Sequence, residues 1–500
     1  MKENREQWGS KMGFILAAVG SAVGLGNIWR FPYLVYSNGG GAFLVPYFIA
    51  IITAAIPLLI LEYGVGHKFR AATPLALARG NKKWEWVGWW PTINAFLILA
   101  YYGMILSLTI KYFTLSFSKG WGEDTNAYFY NDFLNVTSSP FEMGHIIWSI
   151  LIGIAILWAV NWFICYRGIK KGIEKLNRVL LPLLIFIMII IVIKGVSLEG
   201  ATLGLNKLFT PDWNKVKDLD VWIAAYGQVF FSLSVGMGIM VTYSSYLPDN
   251  TDINNTAFMT AFANCGFEFL CAIGVFSILG FMANASNVPI DEVVSGGIGL
   301  AFIVFPKVFS VIPGIWGSIL GVLFFTCLLF AGLTSSVSLV EAVSAPIIEK
   351  TGWERKKVVS LICGAGFLVS TIYSSGAGIY ILDIVDNFIN NYGIVVIGLL
   401  ESVFIGWVVG PRTIREHTNS VSYFSIGKWW EFVIKFVTPT ILSVMLVSSL
   451  INEFKEAYGG YTRMETVAYG WSIVAFAIIL ALIISRKPWK NDNLIEGGEV

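Results

Sequence analysis

Charge is scarce in this chain. Only 13% of its 500 residues are Asp, Glu, Lys or Arg, well below the roughly 25% usual in soluble domains. The 34 basic and 32 acidic side chains nearly cancel, so no net field draws in nucleic acid or acidic partners. Histidine is rarer still. His67, His145 and His417 read as scattered in or near loops, with no metal-ligand spacing and no nucleophile–base pair, which argues against an enzyme. The five cysteines, Cys165, Cys265, Cys271, Cys327 and Cys363, form no CxxC pair. All lie in or beside apolar segments and read as small buried residues rather than a disulfide framework or metal site. A cleavable leader is also missing. The first apolar stretch is interrupted by Asn27 and Arg30 and lacks a small-residue cleavage pattern.

What the chain has in abundance is apolar sequence, 56% of all residues. Bilayer-spanning helices need about 20 such residues in a run, and soluble helices seldom go so far without charge. Run lengths predict an all-α integral membrane protein with about 12 transmembrane helices. They fall near 11–36, 42–68, 90–117, 145–164, 176–196, 222–247, 257–284, 316–347, 357–374, 380–409, 430–451 and 467–485.

Basic residues fix the orientation. Lys2, Arg5 and Lys11 precede the first span, and Lys68, Arg70, Arg79, Lys82 and Lys83 follow the second. Arg167, Lys170, Lys171, Lys175 and Arg178 join the fourth to the fifth. Arg355, Lys356 and Lys357 follow the eighth, and Arg412 and Arg415 the tenth. The positive-inside rule makes these connections and both termini cytoplasmic, in a multi-pass protein of the cell (inner) membrane. The long connections near 118–144, 197–221 and 285–315 then face out.

Two spans are broken in the middle by small residues. The first reads Gly20-Ser-Ala-Val-Gly24-Leu-Gly26-Asn27, and the sixth reads Ser232-Leu-Ser234-Val-Gly236-Met-Gly238. Glycine costs a helix interior about 1 kcal/mol relative to alanine, so such clusters predict unwound stretches. Unwound backbone in a bilayer persists only where it lines a cavity or binds something. Freed carbonyls suit a cation, and freed amides suit a carboxylate. Small residues also serve close helix packing, but Asn27, Ser232 and Ser234 place polar groups right at the breaks. The sixth span lies five on from the first, an odd offset, so the second copy enters the membrane from the opposite side. That is the signature of an inverted-topology transporter.

The eighth span carries Ala331-Gly-Leu-Thr334-Ser335-Ser336. Such hydroxyls commonly bond back to the preceding turn. Beside two broken helices they also read as neutral oxygen ligands, which suit sodium rather than zinc or copper. Charged groups inside spans need partners. Arg30 and Asp386 read as a pair across an outer vestibule, with snorkelling to the interface as the alternative. Glu62, Glu268 and Glu401 lie deeper and are candidate buried carboxyls.

GSAVGLGNIWRFP at Gly20–Pro32, NGGGAF at Asn38–Phe43, GQVFFSLSVGMG at Gly227–Gly238, Asn264 and AGLTSS at Ala331–Ser336 together resemble the neurotransmitter:sodium symporter family in its bacterial amino-acid branch. The resemblance covers nearly the whole chain. It implies a cytoplasmic segment 1–10, a first five-helix repeat at 11–196 and an inverted second repeat at 222–409. Peripheral helices at 430–485 and a cytoplasmic tail at 486–500 complete the chain.

Two sodium sites are implied. The first would use the Ala22 carbonyl, Asn27, Ser232, Asn264 and the carboxylate of the amino-acid substrate. The second would use the carbonyls of Gly20, Val23 and Ala331 with the hydroxyls of Thr334 and Ser335. The substrate pocket would be lined by Ser21, Ala22, Leu25, Gly26, Ile98 and Tyr102, together with Phe231, Ser232, Ser234, Met237, Ser335 and Leu339. Gly24 stands where monoamine-carrying relatives have aspartate, implying a substrate with its carboxylate intact. Met237 stands in place of a phenylalanine, and its flexible thioether adapts to large apolar or aromatic side chains.

Glu268, with Tyr47, Gln228 and Ser232, resembles an acidic substitute for bound chloride, implying chloride-independent transport. The outer gate would be Arg30 and Asp386 through Gln228. The inner gate would be Arg5 and Glu349, sealed by Trp8, Ser245 and Tyr246. A proton-coupled carrier and a membrane sensor that binds an amino acid without moving it are the competing expectations.

Overall fold

The computed structural model describes residues 6–490 and Ile495; Arg5, expected at the inner gate, lies outside the described residues. Helices account for the architecture, and no strand occurs among the described residues. In a bilayer every backbone amide needs a partner within the protein, and the helix supplies it. Among the described residues, ten helices are long and apolar enough to cross a membrane.

In chain order, α1 (Lys11–Ala22) and α2 (Leu25–Ser37) form one bent span. It is followed by α3 (Gly41–Phe69), α4 (Lys82–Ser116), α5 (Trp148–Tyr166) and α6 (Ile169–Val196). Next come α7 (Leu219–Ser232) and α8 (Ile239–Ser244). They precede α9 (Ile253–Ser286), α10 (Trp316–Thr351), α11 (Arg355–Ser374) and α12 (Gly378–Val409). The short helix α13 (Pro411–Val421) leads to α14 (Lys428–Gly460) and α15 (Arg463–Ser485).

The twelve expected spans therefore appear as ten long helices, or 11 once α1 and α2 are joined. The span expected at 222–247 is a 14-residue helix and a 6-residue helix, neither long enough alone. Some boundaries also move. The third span starts at Lys82 rather than 90, because buried Glu85 in its first turn takes Lys350 and Trp489 as partners. The long connections near 197–221 and 285–315 contain the helices Ala201–Phe209 and Gly297–Val311.

Caps mark the ends. Ser10 Oγ accepts from the Gly13 amide at 2.9 Å at the start of α1, and Asp252 accepts from Asn255 at 3.2 Å at the start of α9. The spans differ in what covers them. In α4, 83% of the most apolar stretch is buried in the protein, against 33% in α6 and 22% in α14 and α15. So α4 is central, and α6, α14 and α15 face lipid. The five cysteines are all free and buried.

Candidate functional site

The first break is built by a side chain that replaces a helical bond. In an unbroken helix the Gly24 amide would donate to the carbonyl of Gly20. Here it donates to Asn27 Oδ1 at 2.9 Å. Val23 turns to φ −75° and ψ 93°, Gly24 is extended, and the axis bends by 53° between α1 and α2. The Ser21 carbonyl is likewise turned to other elements. It accepts Ser234 Oγ at 3.1 Å and Ser335 Oγ at 3.2 Å. Both broken spans and α10 thus meet on one carbonyl oxygen.

The second break runs from Leu233 to Gly238 between α7 and α8. Ser234 (φ 55°), Gly236 (φ 74°) and Gly238 (φ 70°) occupy the left-handed region, which glycine enters without a Cβ penalty. The Gly236 amide, released in mid-span, donates to buried Glu62 Oε1 at 2.7 Å.

Between the breaks lies a cavity of about 600 Å³. Ser21, Ala22, Leu25, Gly26, Ile98 and Tyr102 line it, and so do Phe231, Ser232, Ser234, Met237, Ser335 and Leu339. All twelve residues expected around a substrate therefore line one cavity. Gly26 is pressed against Phe231, and a Cβ there would run into the ring. A Cβ on Gly24 would stand 3.3 Å from Ser335 Oγ and 4.0 Å from the Tyr102 hydroxyl.

Beside the cavity, Asn27 Nδ2 donates to Asn264 Oδ1 at 2.7 Å, and Asn264 Nδ2 donates to Ser232 Oγ at 3.0 Å. This chain brings Asn27, Asn264 and Ser232 together from α2, α9 and α7. On the α10 side, the Thr334 and Ser335 hydroxyls both bond the Ala331 carbonyl at 3.0 Å. Gly20 is packed against Asn177, and a Cβ there would run into its side-chain oxygen and sit 3.6 Å from Thr334 Cβ. Deeper, fully buried Glu268 accepts the Tyr47 hydroxyl and Gln228 Nε2, the latter at 2.6 Å. Ser232 faces the same carboxyl. Glu401, also buried, has neither oxygen bonded.

The expected outer pair is separated. Arg30 and Asp386 line the same cavity, but no ion pair joins them among the described residues. Arg30 lies over the Phe231 ring, 4.8 Å from its centre. Asp386 accepts Tyr101 Oη at 2.6 Å and Asn390 Nδ2 at 2.9 Å. Gln228 is engaged with Glu268 rather than bridging the two. The same cavity is also lined by Tyr380, Asp383, Tyr458 and Tyr461. Asp383 accepts Tyr458 and Tyr461 at 3.1 and 3.0 Å.

The opposite end is shut. Trp8 is 4% exposed, donates Nε1 to the Tyr243 carbonyl at 2.8 Å, and its amide reaches Tyr246 O at 3.3 Å. Ser245 is buried beside them. The Tyr246 hydroxyl donates to Glu341 at 2.7 Å, and Arg355 holds both oxygens of that carboxylate. Glu349 accepts the Ala72 amide at 3.0 and 3.1 Å.

Sequence reasoning missed Tyr101 as the partner of Asp386, although it adjoins Tyr102. It also missed Asp383 and its two tyrosines, whose 75-residue separation leaves no local signal. One reading is corrected. His67 and His417 are not scattered: His67 is in the last turn of α3, and its Nδ1 lies 2.9 Å from His417 Nε2 in α13. Only the packing of α13 on α3 brings them together. His67 Nε2 lies 2.9 Å from the Pro248 carbonyl, which can only accept. His67 therefore donates there, and His417 donates to its Nδ1.

Comparison with known proteins gives this geometry a lineage. The profile of the Sodium:neurotransmitter symporter family matches residues 5–128 and 121–491. An uncharacterized sodium-dependent transporter of Methanocaldococcus jannaschii is 40% identical over 489 residues, covering 97% of this chain and 99% of that protein. The sodium-dependent dopamine transporter of Caenorhabditis elegans is 30% identical, covering 92% of this chain and 82% of its own. The human sodium- and chloride-dependent neutral and basic amino acid transporter B(0+) is 29% identical, covering 95% and 84%. These matches span both broken helices and the hydroxyl run of α10, and the chain, a multi-pass membrane protein, belongs to the sodium:neurotransmitter symporter family of sodium-dependent transporters.

Proposed function

We propose that this protein couples the entry of sodium to the entry of amino acids with large apolar or aromatic side chains, by alternating access and without chloride. The observation that carries this reading is the cavity between the two breaks. Its floor, from Ser21 to Asn27, offers neutral oxygens, amides and hydroxyls and no carboxylate.

Two sodium ions are the co-substrates in this reading. One is held by Asn27, Asn264, Ser232 and the Ala22 carbonyl, with the substrate carboxylate supplying negative charge. Sodium and amino acid then stabilise each other, which is direct thermodynamic coupling. The other is held where Thr334 and Ser335 converge with the carbonyls of Ala331, Gly20 and Val23. Tyr102 donates to the substrate carboxylate, and Met237 with Ile98 receives the side chain. Glu268 supplies the fixed charge that a bound chloride would otherwise bring.

The Trp8 end is cytoplasmic in this reading, with both termini inside, and the end of the cavity lined by Asp383 and Tyr458 is extracellular. Closure brings Arg30 towards Asp386 over the filled pocket, and release parts Trp8 from Tyr243. The two breaks belong to inverted repeats at 11–196 and 222–409, so one can hinge as the other opens. A membrane potential supplies about 2.3 kcal/mol per charge per 100 mV, so two sodium ions support strong accumulation.

The test is uptake into proteoliposomes under an imposed sodium gradient, with each common amino acid as competitor. Accumulation that needs sodium, ignores chloride and is blocked best by large apolar amino acids is expected. Uptake driven by a pH gradient without sodium would make it a proton-coupled carrier. Binding without accumulation would make it a sensor.

A further inference from the structure

On the Trp8 side, away from the central cavity, a second hollow of about 830 Å³ opens where α5 turns into α6. Its wall carries Arg167, Lys170, Lys171, Lys175, Arg178 and Lys356 against one acid, Glu174. That acid is already answered from within. Glu174 is buried and accepts the Gly9 amide at 2.6 Å and Ser10 Oγ at 3.2 Å, and it pairs with Arg178 at 3.1 Å. Glu6 accepts the Ile169 amide and faces Arg355 at 3.5 Å. Lys170, Lys171 and Lys175 form no ion pair among the described residues. We propose that this hollow binds the phosphate headgroup of an anionic membrane lipid.

Topology alone explains why a loop on this side is basic. It does not explain why cations from two connections, α5–α6 and α10–α11, converge on one concavity while its acid turns inward. Like charges gathered in this way repel, and an anion relieves them. The chemistry required is a phosphate oxyanion, which ammonium and guanidinium groups both bind well.

The surroundings favour a lipid as its source. The hollow opens directly onto the most lipid-exposed pair of helices in the first half of the chain. Trp162 and Phe163 on α5 and Val179, Leu183 and Phe186 on α6 are between 39% and 60% exposed. Acyl chains would lie along that surface while the headgroup meets the basic wall. Arg167 over Phe163 and Lys356 over Tyr166 tie the cations to the aromatic rim at the interface. Basic pockets between spanning helices on the cytoplasmic side recognise such headgroups by this combination.

The test is native mass spectrometry of the full-length protein released from detergent. It would be titrated with dioctanoyl phosphatidylglycerol, with dioctanoyl phosphatidylcholine in a parallel arm and millimolar inorganic phosphate as competitor. The wild type is expected to retain the anionic lipid over the zwitterionic one. Lys170→Gln/Lys171→Gln/Lys175→Gln should weaken phosphatidylglycerol binding roughly tenfold. Lys82→Gln/Lys83→Gln, on another connection, should leave it unchanged. Arg167→Gln/Lys356→Gln, from the other wall, repeats the measurement should the triple variant fail to fold. Equal retention of the two lipids, or undiminished binding in both variants, overturns the proposal. So does displacement by phosphate alone, which would make this a site for a soluble anion.

Discussion

Glu268 shows how much one buried side chain can decide. It is fully enclosed and has Tyr47 and Gln228 as donors. Two donors aimed at one point stabilise an anion there, whether it is a carboxylate or a halide. Replacing Glu268 with Ser removes the carboxyl and leaves both donors unanswered. Uptake by Glu268→Ser should then depend on chloride in the medium, measured as transport with chloride exchanged for gluconate. Uptake that stays indifferent to chloride would rule out this role for Glu268. Gly26 makes a steric argument of the same kind. Its open side is filled by Phe231, which in turn carries Arg30. Gly26→Ala should displace the ring and raise the half-saturating substrate concentration by about tenfold, with sodium dependence retained.

Among the elements, the broken spans were legible because their cause is local. Glycines and hydroxyls packed within seven residues announce a helix that cannot hold, and AGLTSS marks the facing strip of α10. The twelve cavity residues came from the same stretches and from matching them to a family pattern. What stayed hidden depends on packing between distant elements. His67 and His417 are 350 residues apart, and α13 reads as an ordinary polar connection. Glu62 could be read as a buried carboxyl, but not as the acceptor for Gly236. The separation of Arg30 from Asp386 is a property of the conformation, which composition does not encode.

The histidine contact between α3 and α13 also makes a prediction. His417 lies outside the spans, and burial, followed by His67, Lys68 and Arg70, pushes its pKa down to about 4. Asp249 stands on the other side, paired with Arg70. The unfolded value is about 6.5. Between these values the unfolded chain binds the proton and the folded one does not. Stability from this group is therefore complete above about pH 6.5 and falls as the pH drops towards 4. The thermal midpoint in detergent should decline over that interval. His417→Gln, which keeps a donor for His67 but does not titrate, should flatten the decline.

For the molecule as a whole, the tail is part of the packing. Trp489 is 4% exposed, donates to Glu85 at 3.0 Å and lies under the Lys350 ammonium, 4.3 Å from its ring centre. Lys350 and Glu85 pair at 2.5 Å, so the ends of α4 and α10 and the segment after α15 are fastened at one point. Loss of the indole leaves a cavity and weakens the partners of a buried ion pair. Trp489→Ala should cost on the order of 3 kcal/mol, read as a lower unfolding midpoint.

The enclosed thiols have a practical corollary. With all five sulfhydryls shut inside, a maleimide that cannot cross lipid should leave the native protein unlabelled in sealed vesicles. A single cysteine placed at Lys171 and another placed at Lys307 would then report from which compartment each connection is reached. The wild-type sequence is thus already a silent background for mapping sidedness, with no need to strip out its own sulfur first.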